Sequence, residues 1–177
     1  MIRKINGINL RNFTDGTTYT VSGTSAEILT ASLLIPANTF KSNDWITLDG
    51  AFEVNAPSGD PVSNVNYKFY WNTTFSTAGA IQICLETNTI VNVLPQKYCE
   101  FSRRLSIRTA NGGGSGISLG TELSATGTTG GRNEYASQAS ISNISINWTV
   151  DGYLFTTIQQ SSISDISKQQ FFKLWTY

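Results

Sequence analysis

Apolar and polar residues alternate one by one along much of this chain, which is the period of a β-strand whose two faces meet different surroundings. The clearest case lies at residues 144–150, where Ile144, Ile146, Trp148 and Val150 are separated by polar residues. No apolar period of 3.6 residues continues over ten residues of the chain. The sequence therefore predicts an all-β fold with little or no helix.

The alternating segments are short, and residues that favour turns separate them. Further strands are predicted at residues 17–21, 26–35, 44–54, 65–71, 80–86, 89–94, 98–109, 153–160 and 169–177. The glycine-rich residues 110–116 predict a flexible turn, and residues 161–170 predict a turn or one short helical turn. Asp151 and Gly152 predict a tight hairpin, because this pair tolerates positive φ.

About nine or ten strands with no helices between them indicate one antiparallel sandwich or barrel, and an antiparallel β-sandwich is the fold class predicted here. A sandwich buries one face of each sheet and leaves the other face available to solvent or to partners. The residues expected to face inward include Ile83, Leu105, Ile107, Ile146, Trp148 and Val150.

The polar residues suit strands and turns, and the charges do not suit nucleic-acid binding. Ser, Thr and Asn account for 57 of 177 residues, and surfaces of this composition are common in extracellular and viral proteins. The formal net charge is zero, whereas nucleic-acid binding needs a basic surface, so no nucleic-acid partner is expected. The group Arg103, Arg104 and Arg108 is interpreted as a solvated or interfacial strand face.

The sequence predicts neither a membrane span nor a signal peptide. No segment has the roughly 18–20 apolar residues that a span requires, and no apolar run follows the basic residues near the start. We therefore expect synthesis in a host cytoplasm. The alternation places Cys84 on the strand face opposite to Ile83 and Leu85, whereas Cys99 shares a face with Phe101. Cysteines on opposite faces of a sheet are poorly placed for a disulfide, so both are expected to be free thiols.

The chain has no histidine, which removes most nucleophilic systems, histidine acid–base catalysis and nearly all zinc hydrolase sites. The glycine run at residues 112–116 lacks the Lys and the helix of a phosphate-binding loop, and no calcium-loop spacing is present. The sequence thus predicts no catalytic residue, no metal and no cofactor. A pair among the twelve carboxylates could still serve a glycan-active enzyme, which is the remaining enzyme alternative.

Aromatic side chains can bind sugars by stacking on the apolar faces of the rings. The candidates for contact with a glycan or receptor are Tyr70, Trp71, Tyr135 and Tyr177, together with Arg132 and Asn133 in the segment Arg-Asn-Glu-Tyr at residues 132–135. Each aromatic residue has the alternative role of a core or interface residue.

The last predicted strand carries aromatic residues on both faces. Phe171, Lys173 and Trp175 alternate with Phe172 and Leu174. A strand of this kind is expected to be covered on both sides, and a second copy of the chain could provide the second cover.

Four segments together resemble jelly-roll modules of tailed-phage virion surface proteins, namely tail fibres, tailspikes, head fibres and capsid decoration proteins. They are Ser-Leu-Leu-Ile-Pro-Ala-Asn-Thr at residues 32–39, Tyr-Trp-Asn-Thr at 70–73, Phe-Ser-Arg-Arg-Leu-Ser-Ile at 101–107 and Asn-Trp-Thr-Val-Asp-Gly-Tyr at 147–153. The resemblance implies a jelly roll at residues 26–177, usually trimeric, with no catalytic residues. Residues 1–25 would be a short N-terminal attachment or edge segment, which favours a capsid decoration, a head fibre or a fibre component.

The leading functional prediction is accordingly a non-enzymatic structural protein on a phage virion. Its expected partners are further copies of itself, as a trimer, other virion proteins, and a host cell-surface glycan if it also serves attachment. A monomeric carbohydrate-binding module is the main alternative.

Overall fold

The computed structural model describes residues 2–5, 8–55, 62–91, 96–121 and 142–176, with side chains described for residues 14–55, 64–83, 98, 105–110 and 144–176. Twelve β-strands and no helix occur in these ranges. Accordingly, no helix that could span a membrane is found among the described residues. The all-β prediction is confirmed.

The strands are numbered in chain order. They are β1 (Ile2–Ile5), β2 (Ile8–Asp15), β3 (Tyr19–Ser22), β4 (Ile28–Ile35), β5 (Trp45–Asn55), β6 (Val62–Asn72), β7 (Ile81–Val91), β8 (Gln96–Ile107), β9 (Asn111–Thr121), β10 (Ser142–Asn147), β11 (Gly152–Gln160) and β12 (Ile166–Thr176).

The strands form two antiparallel sheets. The large sheet has eight strands in the order β1-β2-β12-β5-β8-β9-β10, with β3 also paired to β12, and the small sheet has four in the order β4-β11-β6-β7. Four of the pairings are nested in sequence: β6 with β7, β5 with β8, β4 with β11 and β3 with β12. The chain therefore resembles one long hairpin wound so that successive strand pairs alternate between sheets.

The core lies between the two sheets, and in β5 and β6 it is built largely from alternate residues. In β6 the inward residues Val65, Tyr67, Phe69 and Trp71 are all buried, as their spacing predicts. The ring of Tyr67 stacks on that of Phe52 from β5, with centroids 4.8 Å apart. Aromatic contacts of this kind join the small sheet to the large one, so the predicted β-sandwich is confirmed.

The strand count exceeds the predicted nine or ten for identifiable reasons. Residues 111–116, which belong to the segment predicted as a flexible turn, are part of β9, because β10 pairs with this part of the strand at Asn111, Ser115 and Gly116. The partner on the other side, β8, pairs only from Gly116 onward. Glycine offers no side-chain period, so this strand left no sequence signal. The segment predicted at 80–86 and the described part of the segment predicted at 89–94 form one strand, β7, which ends at Val91. The strands β1 and β2 add two more.

Two local predictions near the C-terminus are also corrected. For residues 161–170 the prediction was a turn or one short helical turn; a non-helical turn is found up to Asp165, and the second half of the range is strand, since β12 begins at Ile166. Val150, predicted to face inward, is exposed because β10 ends at Asn147 and the alternation stops there.

The predicted hairpin at Asp151 and Gly152 is wrong, because β10 and β11 lie in different sheets. Neither residue has positive φ. The carboxylate of Asp151 instead accepts a hydrogen bond from the backbone N–H of Ala37 at 2.7 Å, which holds the crossing against the end of β4. Gly152 lies under the indole of Trp71, and Trp71 in turn contacts Trp148 with ring centroids 4.6 Å apart. This glycine is needed for close packing rather than for a turn.

Asp15 ties the N-terminal strands to the small sheet. Its carboxylate accepts hydrogen bonds from the backbone N–H of Thr17 at 3.0 Å, the hydroxyl of Tyr19 at 2.9 Å and the backbone N–H of Ser32 in β4 at 3.2 Å. Burial raises the pKa of Asp15, but these hydrogen bonds outweigh burial and hold the pKa below its usual value. The division of the chain at residue 25 stays a prediction.

Gly152→Ala is expected to destabilise the protein by about 1–3 kcal/mol or more, the usual range for overpacking. An added Cβ would lie 2.5 Å from Cζ2 of Trp71 and 2.9 Å from the backbone oxygen of Asn72. Urea denaturation followed by tryptophan fluorescence measures the change. Gly16→Ala is the matched control, since an added Cβ there meets nothing within 4 Å. Equal stability of the two variants would contradict this role of Gly152.

Candidate functional site

The outer face of the small sheet carries a polar cluster centred on Glu27. Its carboxylate accepts hydrogen bonds from Nζ of Lys68 at 2.7 Å, the hydroxyl of Tyr70 at 2.9 Å and the hydroxyl of Thr157 at 2.6 Å. Nζ of Lys68 also lies 3.4 Å from Oε1 of Gln159. The cluster joins the segment before β4 to β6 and β11, so it fixes the surface of this sheet.

The hydrogen bonds of this cluster determine its protonation. Burial raises the pKa of Glu27, but the hydrogen bonds from Lys68, Thr157 and Tyr70 and the charge of Lys68 outweigh burial, so the pKa lies below its usual value. Burial and the neighbouring Glu27 raise the pKa of Tyr70 well above its usual value. At neutral pH the cluster therefore contains a carboxylate, an ammonium and a neutral phenol, and its net charge is zero.

An aromatic group lies beside the Glu27 cluster on the same face. Tyr70 stacks on Phe155 with ring centroids 5.4 Å apart, and Phe75 meets the edge of Phe155 at 5.5 Å. Phe75 comes from the loop between β6 and β7, which the side-chain amide of Asn72 fixes by donating to the backbone oxygens of Ser76 and Ala78 at 2.8 and 3.0 Å. This loop covers the middle of the face.

A depression of about 330 Å³ lies at the other side of the Glu27 cluster, where β11 ends. We name it the amide-lined depression. Its lining consists of Ser25, Asn64, Asn66, Gln159, Gln160 and Ser161. All six side chains are uncharged and carry hydroxyl or amide groups that can both donate and accept hydrogen bonds.

The outer face of the large sheet is different in chemistry, and we name it the aromatic face. Trp45 of β5 is 45% exposed, Trp175 of β12 is 36% exposed and Tyr98 of β8 is 53% exposed. Trp175 lies opposite Thr47 in the ladder, so Trp45 is its diagonal neighbour on the same face. Phe171 lies further along β12, beneath Nζ of Lys173 at 4.8 Å from the ring centroid.

The structure separates the residues that the sequence proposed for glycan contact. Tyr70 is 8% exposed and belongs to the Glu27 cluster. Trp71 is 3% exposed and lies in the core, which is the alternative role that the sequence analysis gave to each aromatic candidate. Arg132, Asn133, Tyr135 and the side chain of Tyr177 lie outside the described residues. The side chains of Cys84 and Cys99 also lie outside them, so the free thiols stay a prediction.

Sequence reasoning did not find Glu27 or the depression. Glu27 precedes β4 by one residue and is 41 positions from its partner Lys68, so no local pattern connects the two. The outward positions of β6 and β11 carry amides in Asn64, Asn66 and Gln159, which was the only available signal. Among the described residues no group of three or more Cys, Asp or Glu is placed to hold a metal ion.

Comparisons with known proteins give no family for this chain. No family model matches it, and no curated protein matches it. A solved structure of infectious bursal disease virus, Gx strain, is similar over 99% of this chain and 41% of that chain, with a TM-score of 0.38 and 8% sequence identity. The chain thus spans about two fifths of the length of that viral protein.

Glu27→Gln is expected to lower the free energy of unfolding at pH 7 by about 1–3 kcal/mol, because it weakens hydrogen bonds made to a charged acceptor. The pKa of Glu27 is lower in the folded protein than in the unfolded chain, where a Glu has a pKa of about 4.3. Above the unfolded pKa the carboxylate therefore stabilises the fold fully. This stabilisation is lost progressively as the pH falls through the folded pKa. Acidification should therefore lower the free energy of unfolding less in Glu27→Gln than in the wild-type protein.

Urea denaturation at several pH values between 7 and 3 measures this difference. An acid response unchanged in Glu27→Gln would contradict the role given to this carboxylate.

Proposed function

We propose that the protein is a non-enzymatic structural protein on the surface of a phage virion, and that it associates with further copies of itself through the aromatic face. The observation that carries the proposal is the exposure of Trp45, Trp175 and Tyr98 on one face of the large sheet. Large aromatic residues are enriched at the centres of protein interfaces, where they contribute much of the binding energy.

The charges of the aromatic face are compatible with self-association. Lys173 lies opposite Asp49 in the ladder between β5 and β12, and Lys168 lies opposite Glu53. Because each of these two lysines has an anion as its cross-strand neighbour, these positions add no excess of like charge for a second copy to meet. The central position of β5 and β12 in the sheet also places the aromatic residues away from its edges.

The strand order supports a jelly roll as the framework. In a jelly roll, one long antiparallel hairpin is wound into two four-stranded sheets that together contain two Greek keys. The nested pairs β6 with β7, β5 with β8, β4 with β11 and β3 with β12 have this arrangement, with β9 and β10 added beyond β8.

The sequence supports three further parts of the proposal: the virion location, the trimer and the absence of catalysis. The four segments that resemble phage virion surface proteins imply a trimeric jelly roll without catalytic residues. The absence of histidine from the whole chain leaves few routes to catalysis. A jelly roll with the aromatic face exposed would then act by shape, packing against neighbouring copies and other virion proteins.

The mass of the purified protein in solution tests self-association. Analytical ultracentrifugation is expected to give about three times the 19.3 kDa of one chain. Trp175→Ser and Trp45→Ser are each expected to weaken assembly at least tenfold in dissociation constant, because truncating a central aromatic residue of an interface commonly costs more than about 1.4 kcal/mol.

Ile163→Ser is the control, since this residue is an apolar side chain 65% exposed in the turn before β12 and away from the aromatic face. It should leave the mass unchanged. A wild-type monomer at micromolar concentration would overturn the proposal, and so would an oligomer that both Trp variants leave intact.

A further inference from the structure

The amide-lined depression has a rigid floor. The backbone N–H of Ser161 donates to the backbone oxygen of Asn64 at 2.8 Å, and the backbone N–H of Asn64 donates to the hydroxyl of Ser161 at 2.8 Å. These two bonds lock the end of β11 to β6. A floor fixed in this way lets a ligand bind with little loss of conformational entropy in the protein.

Gln160 is the structural member of the depression. Its Nε2 donates to the backbone oxygens of Thr24 and Asp165 at 3.2 and 2.9 Å, and its Oε1 accepts from the hydroxyl of Ser167 at 2.9 Å. Both amide protons of Gln160 are thus engaged within the protein. Gln160 holds the segment before β4 and the turn before β12 in place, and the other five lining residues form the accessible surface.

The chemistry of the lining excludes several classes of ligand. None of the six side chains is charged, and the neighbouring Lys68 is neutralised by Glu27 at 2.7 Å, so a phosphate, a sulfate or a nucleic acid would gain no net charge attraction. None of the six is apolar, so a lipid chain would bury no hydrophobic surface. Because the depression opens on a sheet face, it offers no free strand edge to a peptide.

Hydroxyl and amide groups that both donate and accept are the complement of the hydroxyls of a sugar. Each side-chain amide has two N–H protons and a carbonyl oxygen with two lone pairs, so it can bridge two adjacent hydroxyls of one ring. Asn66 and Gln159 occupy directly paired positions of β6 and β11, which places two such amides side by side. The volume of about 330 Å³ is near the lower end of small-molecule sites, which occupy about 300–1,000 Å³.

We propose that the amide-lined depression binds an uncharged glycan, with Asn66 and Gln159 as the main hydrogen-bonding side chains and Asn64, Ser25 and Ser161 around them. The site takes about one or two sugar rings. It lies on the small sheet, whereas the proposed assembly surface lies on the large sheet, so both can act in the same particle. Binding here does not depend on the oligomeric state.

The test is a glycan array that carries uncharged hexose and N-acetylhexosamine oligosaccharides beside sialylated and sulfated forms of the same cores. The wild-type protein is expected to bind a subset of the uncharged glycans. Asn66→Ala and Gln159→Ala are each expected to weaken that binding at least tenfold. Asn55→Ala is the matched control, because it removes an exposed amide at the end of β5 in the other sheet and should change nothing.

A second measurement uses only the wild-type protein, so it does not depend on whether a variant folds. Titration of the wild-type protein with the best uncharged oligosaccharide is expected to shift backbone amide NMR signals at residues 25, 64–66 and 159–161, and not those of the aromatic face. Binding of no array member at millimolar concentration would overturn the proposal. A preference for the sialylated or sulfated forms, or shifts confined to other residues, would overturn it as well.

Discussion

The packing of the small sheet against the large one is the interaction on which the rest of the structure depends. Tyr67 and Phe69 project from β6 and meet Phe52 of β5 and Phe172 of β12, with ring centroids 4.8 to 5.7 Å apart. Burial of these rings removes a large apolar surface from water, which drives the association of the sheets. Since successive strand residues point to opposite sides, the same contact assigns every other residue to an outer face. These outward residues supply the aromatic face, most of the Glu27 cluster, and Asn64, Asn66 and Gln159 of the amide-lined depression.

The interior is not uniformly apolar, and its polar end is linked to the outer surface. Thr30 and Thr156 of the small sheet both contact the side-chain amide of Gln169 from β12, and all three are buried. Nearby, Gln160 connects Thr24 to the turn that leads into β12. Buried polar groups are costly unless they are hydrogen-bonded, so these contacts specify one alignment of the two sheets at this end. Gln160 also lines the amide-lined depression, so this end of the interior is linked to the outer surface.

The sequence predicted individual strands well and their partners poorly. Leu105 and Ile107 in β8, and Ile146 in β10, were correctly predicted to face inward, because burial acts on each strand by itself. The turn at Asp151 and Gly152 was misassigned, because the residues that fix it, Ala37 and Trp71, lie far away in sequence. The glycines of β9 escaped prediction since they have no side chain to alternate. Of the site, only Tyr70 was anticipated; Glu27, Asn66 and Gln159 come together through pairings that no local pattern records.

By itself, the sequence determined that this chain forms short antiparallel strands around an apolar interior, and that it has no histidine for catalysis. Those properties follow from residue types and their spacing, which are local. Only the tertiary structure decided which strand pairs with which, and therefore which polar residues share a surface. The physical reason is that a strand exposes the same backbone donors and acceptors to any partner, so its choice depends on the packing of the whole sandwich.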